Sequence, residues 1–446
     1  MRKLLILGRA PLVGPVTRAF FRRLERDLEQ GGGLAALLLH IGKNASPLAR
    51  RKIVENLILS WRVKGRRIRL RLRRNGLWAP FFVVVSPTMR CNLACTGCYS
   101  GLYSKDGELS EAEMDRILAE CRSIGAFFVV LTGGEPYLLK EPLLRLFEKY
   151  EDLYFLTFTN GTQFDESTAD RLAGLGNVAP AFSIEGNQEQ TDGRRRKGAH
   201  QDVLTSMRLF RERRIPFGIS VTYTRDNVDL VSSEPFVRYC TDLGAVFAWY
   251  FMFVPVGKDP ILDLVPTPAQ RLRCGERIAD LRKRYPIFLA DFWNDGPAVG
   301  GCLAGGRSYL HILNSGRVEI CVFAHFGVDN IREKSILEAA NSPFFRAVRA
   351  AFPYNDAGNL RRPCLIVDNP QVLRKLVQEH MVPYGHEHAQ DIIEDPSIVR
   401  WIDDYAATYR ELTEPDWLVT IEDPESRWYR GGSEYQKLFR FRKGAF

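Results

Sequence analysis

Three cysteines fall within eight residues, Cys91-Asn92-Leu93-Ala94-Cys95-Thr96-Gly97-Cys98, directly after the apolar run Phe81 to Val85. That run is β-branched and aromatic, too short for a helix, and closes at Ser86-Pro87, so it reads as a buried strand. The thiols therefore sit on the loop leaving the strand's C-terminal end. Spacings of three and two residues let one loop curl until its thiolates converge on one metal centre, and soft thiolates select iron-sulfur clusters, zinc or copper. A closed structural zinc site wants four protein ligands, and no fourth Cys or His lies near this loop. A disulfide framework fits worse, because nine cysteines is an odd number and no secretory signal precedes them. The expectation is a reducing cytosol and a metal with one position left open.

From Phe81 onward strand and helix patterns alternate, as a parallel α/β sheet requires. The expected strands are Phe81 to Ser86, Phe127 to Leu131, Tyr154 to Thr159, Ala179 to Ile184, Phe217 to Tyr223 and Val246 to Phe253. Helices are expected near Ser110 to Ser123, Glu141 to Tyr150, Asp165 to Leu175, His200 to Arg213, Glu234 to Leu243 and Pro268 to Arg284. Six such units make an incomplete version of the eight-unit TIM barrel, in which ligands bind at the C-terminal ends of the strands.

Motifs gather at those ends. Strand two leads into Thr132-Gly133-Gly134-Glu135-Pro136, where two glycines allow close backbone approach to a ligand and a fixed carboxylate can accept from an ammonium group. Strand four ends Phe182-Ser183-Ile184-Glu185, and a period of two points Ser183 and Glu185 to one side, suited to two ribose hydroxyls. Asp192-Gly193-Arg194-Arg195-Arg196-Lys197-Gly198 follows. Thr159-Asn160-Gly161, Ser220, Thr222 and Val254-Pro255-Val256-Gly257 are expected as pocket walls.

The CxxxCxxC loop after a first strand resembles the signature of the radical S-adenosylmethionine superfamily. The resemblance implies that Cys91, Cys95 and Cys98 hold a [4Fe-4S] cluster whose fourth iron binds the amino and carboxylate groups of S-adenosylmethionine. It implies further that Gly133, Gly134 and Glu135 hold the methionine amine, that Ser183 and Glu185 hold the ribose, and that Arg195 helps hold the carboxylate. Two departures stand out: Gly97 replaces the aromatic residue that often precedes the third cysteine, and Arg196 replaces the Gly of a D-x-x-R-G-x-G stretch.

Further on, Cys302-x13-Gly316-x4-Cys321 encloses a hairpin pattern with Asn314-Ser315-Gly316 at its turn, and Cys364 follows in Arg362-Pro363-Cys364-Leu365-Ile366-Val367-Asp368. This is similar to the SPASM/twitch extension of radical enzymes, which implies a second [4Fe-4S] cluster on Cys302, Cys321 and Cys364. Val367 stands where that module usually has another cysteine. The fourth ligand is then missing, or comes from Asp368, His380, His386 or His388, or the position is open to substrate. Cys121, Cys240, Cys274 and His311 read as core.

The formal charge of +9 is unevenly placed: residues 1–80 hold 19 Lys or Arg against four Asp or Glu, a net of +15, which leaves about −6 for the rest. Residues 16–29 read as a basic amphipathic helix, Pro47 to Val63 as a second helix, and the alternating Arg67 to Arg73 as a strand with one face of four arginines. The tail from about Gln390, with Trp401, Tyr405 and Tyr409 at four-residue spacing, reads as helices packing on the barrel. The expected organisation is a basic segment at 1–80, a core barrel at 81–290, an auxiliary-cluster module at 291–380 and a helical segment at 381–446. The implied enzyme cleaves S-adenosylmethionine reductively, with an electron donor such as ferredoxin or flavodoxin, and abstracts hydrogen from an unactivated carbon. The basic amphipathic N-terminus points to a cytoplasmic protein that meets a lipid-like or hydrophobic substrate at the inner face of an anionic membrane. The alternatives are a peptide maturase, as the SPASM/twitch resemblance implies, a nucleic-acid substrate on the cationic strand, and a non-catalytic iron-sulfur sensor or electron carrier.

Overall fold

Short apolar strands buried on both faces must be covered by helices on the outside, and the chain meets this demand by repeating strand, helix, strand in parallel order. The computed structural model describes residues 33–258, 260–440 and 442, so the expected helix at 16–29 lies outside the described residues. Seven parallel strands follow one another in the sheet: β1 (Val83–Val85), β2 (Phe128–Leu131), β3 (Tyr154–Thr159), β4 (Val178–Ser183), β5 (Gly218–Tyr223), β6 (Phe247–Met252) and β7 (Phe288–Asp291). All six expected strands are present within a residue or two of their expected ends. The short β7 adds a seventh, in register with β6 from Phe247↔Phe288 to Tyr250↔Asp291.

The helices between them begin on Ser110, Asp165, Ser233 and Thr267, each of which accepts a backbone N–H in the first turn. Three of these four stop at glycines with left-handed φ, Gly125, Gly176 and Gly244. Residues alternate between two apolar layers. Val83, Val85, Val129 and Leu131 face the helices, while Val84, Val130, Leu156 and Ala181 face the concave side.

The hairpin expected around Asn314 is present as β8 (His311–Ile312) and β9 (Arg317–Glu319), with β10 (Asp329–Asn330) antiparallel beyond it. β8 pairs in parallel with β1, Val84 opposite His311. The hairpin therefore continues the barrel's own sheet, in the order β10-β9-β8-β1-β2-β3-β4-β5-β6-β7. Among the described residues β7 and β10 are the two edges, and the sheet is a partial barrel that does not close.

Beneath the N-terminal ends of the strands lies a floor of helices. Gly33–Asn44 and Pro47–Lys52 lead into a π-helical stretch Ile53–Lys64, as the second helical pattern predicts. Asn56 donates to the carbonyls of Glu151 (2.9 Å) and Leu153 (2.8 Å), just before β3, and the Trp61 indole donates to Phe81 O at 2.7 Å. Residues Arg67 to Arg73 form no strand. They belong to a helix, Gly65–Arg74, that prolongs the π-helical stretch. Arg and Leu are good helix formers, and Ile68 and Leu72, four apart, both pack on the core. Arg69 and Arg73 fold inward over the rings of Phe81 (4.5 Å) and Trp78 (4.1 Å), which leaves no single face of four arginines for a nucleic acid.

The acidic, aromatic tail forms the helix Pro396–Glu422. Tyr405 and Tyr409 are buried against the barrel's outer surface, where the Arg271 guanidinium stacks 3.8 Å from the Tyr409 ring. No described helix is long and apolar enough to cross a membrane.

Candidate functional site

A cavity of about 1350 Å³ occupies the concave side of the sheet, and Cys91, Cys95 and Cys98 line its upper end. Each sulfur has a donor or hydroxyl beside it. Leu93 N and Asn160 Nδ2 approach Cys91 Sγ at 3.5 and 3.8 Å, Arg195 Nη1 lies 3.9 Å from Cys95 Sγ, and the Ser100 hydroxyl is 3.3 Å from Cys98 Sγ. Burial pushes the Cys91 thiol up to about 11 and raises Cys95, so cation charge is what would hold these groups as thiolates. Gly97 has φ 61°, and a Cβ there would lie 2.4 Å from the Phe253 ring. An aromatic ring delivered from the end of β6 thus fills the space beside the loop, which accounts for the glycine before the third cysteine.

The Gly133-Gly134 pair lines the cavity, but its glycines answer first to protein packing. A Cβ on Gly133 would sit 2.4 Å from Thr88 O and one on Gly134 2.0 Å from Arg90 O. Gly134 N and Glu135 N donate to Thr88 O (3.0 Å) and Arg90 O (2.9 Å), binding this loop to the segment that carries the cysteines. The Glu135 side chain does not offer its carboxylate to a ligand. It is 0% exposed and accepts from Tyr137 N (3.0 Å), the Thr159 hydroxyl (2.9 Å) and Asn160 N (2.7 Å). Burial pushes it up to about 7 against those donors.

Ser183 lines the cavity and Glu185 does not. β4 ends at Ser183, so the period of two stops short of Glu185, whose carboxylate turns inward at 1% exposure. It accepts from Arg194 Nη1 at 2.7 Å, Arg195 Nε at 2.9 Å and Thr222 N at 3.1 Å. Both guanidiniums are thereby fixed on the cavity wall, and the nearby arginines hold the Glu185 carboxyl low despite its burial. Arg196 instead pairs with Asp202 at the surface. Asp192 accepts from Gly198 N and His200 N, both at 2.9 Å, and shapes the turn. Sequence reasoning singled out Arg195 and missed Arg194, which only the fold of the turn brings to the same carboxylate. Asn160, Ser220 and Thr222 line the wall as expected.

The second trio also converges. The Cys302, Cys321 and Cys364 thiols act electrostatically on one another and are all raised by burial. Cys321 Sγ lies 3.2 Å from the Tyr309 hydroxyl and 3.4 Å from Phe323 N, and Cys364 Sγ lies 3.4 Å from Ile366 N. The side chains expected to complete the set are occupied elsewhere. Asp368 holds Arg271 through both oxygens (2.5 and 3.1 Å) and accepts Cys364 N at 2.9 Å. His380 packs on Phe344, His386 bonds His325 at 2.8 Å, and His388 faces Asp391 at 3.1 Å. Tyr354 is the group that sequence reasoning missed. It is 3% exposed, its hydroxyl has no hydrogen-bond partner among the described residues, and all three thiols act on it.

His311 is buried as expected, yet polar in role. It bonds the Ser86 hydroxyl at 2.7 Å and faces Glu319, which accepts from the Tyr103 hydroxyl at 2.7 Å, tying the hairpin to the foot of the Cys91 loop. Cys121, Cys240 and Cys274 are buried core residues.

Among the described residues no three His, Cys, Asp or Glu side chains lie close enough to hold a single metal ion. The orphaned Tyr354 hydroxyl and the donors around Cys91, Cys95 and Cys98 fit sulfur-rich, negatively charged occupants.

A parallel β/α sheet carrying a three-thiol loop and two anchored arginines at its strand ends defines a partial-barrel protein with a thiol-lined cavity. Residues 85–230 match the model of the Radical SAM superfamily. The AdoMet-dependent heme synthase of Methanosarcina barkeri is 26% identical over 326 residues, covering 66% of this chain and 90% of that protein. The PqqA peptide cyclase of Rhodopseudomonas palustris is 26% identical, covering 64% and 78%. Among solved structures, Streptococcus suis SuiB bound to precursor peptide SuiA superimposes with a TM-score of 0.53 at 18% identity, over 62% of this chain and 68% of that one. Native anSMEcpe with bound AdoMet gives 0.52 at 16% identity, over 72% and 99%. Residues 85–230 therefore carry a radical SAM domain, and the chain is an enzyme of that class, whose cofactors are a [4Fe-4S] cluster and S-adenosylmethionine.

Proposed function

We propose that Cys91, Cys95 and Cys98 hold the [4Fe-4S] cluster and that S-adenosylmethionine binds beside it at the polar end of the cavity. The meeting of the thiol loop, the Gly133-Gly134 backbone, Ser183 and Arg195 on one wall carries this reading. When bound, the cluster and S-adenosylmethionine would supply, with one electron from a donor such as ferredoxin or flavodoxin, the chemistry that removes hydrogen from an unactivated carbon. The chain's own residues position and enclose. Arg195, held by Glu185, faces the cofactor carboxylate, and Ser183 bonds a ribose hydroxyl. The Gly133-Gly134 backbone receives the amine in place of the Glu135 carboxylate. Phe251, Phe253 and Phe323 keep water from the reacting carbon.

Cys302, Cys321 and Cys364 would hold an auxiliary [4Fe-4S] cluster, with the buried and unpartnered Tyr354 hydroxyl beside them. For the substrate, a peptide is favoured by the names of relatives such as the PqqA peptide cyclase. A lipid-like substrate, met at an anionic membrane by the basic floor helices, is favoured by the cavity wall.

The test is anaerobic reconstitution followed by dithionite and S-adenosylmethionine, scoring 5′-deoxyadenosine and iron. Deoxyadenosine should form and should vanish in the Cys91/Cys95/Cys98→Ala variant, which should retain about four irons per chain, as one [4Fe-4S] cluster requires. No deoxyadenosine from fully loaded wild-type protein, with or without added substrate, would overturn the radical reading in favour of a sensor. Loss of all iron in the variant would remove the auxiliary cluster.

A further inference from the structure

The interior of an eight-unit barrel is normally filled by layers of bulky branched side chains. Here two adjacent strands carry small side chains, of which Ala179, Ser183, Ser220 and Thr222 border a cavity. The inward positions of β4 are Ala179, Ala181 and Ser183, and those of β5 are Gly218, Ser220 and Thr222. Gly218 goes further: a Cβ there would lie 2.2 Å from the Phe247 ring, so that ring folds flat against the backbone. One cavity therefore runs the length of the strands. It starts at Cys91, Cys95 and Cys98 above and is walled below by first-strand positions such as Tyr154, Phe247 and Phe288 and by Leu37, Ile41 and Trp61 of the floor. Its volume of about 1350 Å³ takes in both the thiol end and the apolar end.

The two ends differ in chemistry. Polar side chains gather near the thiols, and below them the wall is Phe82, Val84, Phe128, Val130, Leu156 and Trp249. A peptide backbone threaded there would leave N–H and C=O groups without partners, each at a cost, whereas a hydrocarbon chain leaves none. The cavity also reaches the seam where β7 has no ladder to β8. Two of its wall residues, Phe288 and Val299, are 48% and 46% exposed, and Arg62 and Arg427 border the same cavity. Exposed apolar side chains beside basic ones suit an amphiphile with an apolar tail and an anionic head.

We infer that the substrate is an anionic membrane phospholipid. One acyl chain enters the hollow barrel from the seam, and a methylene of that chain lies below the cofactor as the hydrogen donor. This deepens the proposed function and rests on its radical reading for chemistry, though not for binding.

The test uses full-length, iron-loaded protein under anaerobic conditions. Phosphatidylglycerol with brominated acyl chains should quench the fluorescence of Trp61 and Trp249 in a saturable way. Quenching should require at least tenfold more lipid in Ala179→Phe, which narrows the cavity at the β4 wall, and in Phe288→Asp, which puts a charge on the half-exposed wall residue at the mouth. Retained iron and melting temperature show that the variants fold, and the mouth variant keeps the test valid where the β4 variant does not. Phosphatidylglycerol with perdeuterated acyl chains should then place deuterium in 5′-deoxyadenosine. Undiminished quenching in Phe288→Asp and in folded Ala179→Phe, or no saturable quenching, overturns the proposal. So does deoxyadenosine that forms without deuterium, which would point to a peptide. Quenching with no deoxyadenosine at all would instead sink the radical reading and leave the lipid site standing.

Discussion

At the scale of the residue, the cavity wall is set by carboxylates buried behind it. Glu185 is buried behind Arg194 and Arg195 and sets both guanidiniums through one oxygen, 2.7 Å from Arg194 Nη1 and 2.9 Å from Arg195 Nε. Its value lies in holding two flexible cations in one orientation, which lowers the ordering cost when an anionic ligand arrives. Glu185→Gln keeps the shape and removes the charge. S-adenosylmethionine should then bind about tenfold more weakly, about 1.4 kcal/mol, with iron content at the Cys91 loop unchanged. Calorimetric titration of reconstituted protein checks this, and equal affinity for the two proteins would return Glu185 to a purely structural part. A reader of the sequence could find Ser183, Arg195 and the thiols, because local spacing marks them. The turn of Glu185 away from the cavity was not legible, since it follows from β4 ending two residues before it, at Ser183. Nor was Tyr354, which reaches the second trio only through tertiary packing.

At the scale of elements, the module that carries the second trio is bound to the barrel by charge as well as by sheet. Glu113 closes the capping box of the helix Glu111–Ile124 and also accepts from Arg332 Nε at 2.6 Å, beyond the hairpin. The Arg332 contact, with the Ser110 N–H and hydroxyl, holds the Glu113 carboxyl down at about 2. A lowered folded-state value stabilises above the unfolded value of about 4.5 and is lost as pH falls toward 2. Glu113→Gln should therefore cost about 1 kcal/mol at pH 7, after allowance for the solvent around Arg332. The gap should close as denaturation is repeated at lower pH down to about 2, and a gap independent of pH would contradict this assignment.

A deeper joint is the Arg271–Asp368 pair, fully buried on both sides, which fixes the backbone N–H of Cys364. Arg271→Leu leaves Asp368 charged and uncompensated, and should destabilise the protein by about 3–5 kcal/mol, measured by urea unfolding. A loss below about 1 kcal/mol, the range of exposed pairs, would show that the joint bears no such charge. The strand boundaries were legible because apolar runs of four to eight residues were flanked by capping Ser, Thr, Asp and Gly. The helix Gly65–Arg74 was not, because strict Arg-Leu alternation also places Ile68 and Leu72 on one helical side. Alternation identifies a strand only when nothing upstream is already propagating a helix.

At the scale of the whole molecule, the basic charge and the hollow interior belong to the same end. Residues 33–80 hold 12 Lys or Arg against a single Glu, by count a net of +11, and they form the floor beneath the strands. Exposed Leu39 and Leu59 lie on that floor among the cations. Because Asn56 and Trp61 bond the barrel's own backbone, removing the floor would open the core, and charge reversal is the cleaner probe. Arg66, Arg71 and Arg74 are exposed and can be changed to Glu without touching the cavity. Wild-type protein should sediment with phosphatidylglycerol vesicles at about 0.1 M salt, where charges act over about 10 Å, and should be released at about 1 M, where the range falls to about 3 Å. The triple variant should remain largely in the supernatant at both concentrations. Sedimentation that persists at high salt in the variant would mean that apolar contacts alone hold the protein to the bilayer. Absence of wild-type sedimentation would mean that the floor meets another acidic partner, and the hollow barrel would then have to be filled from solution.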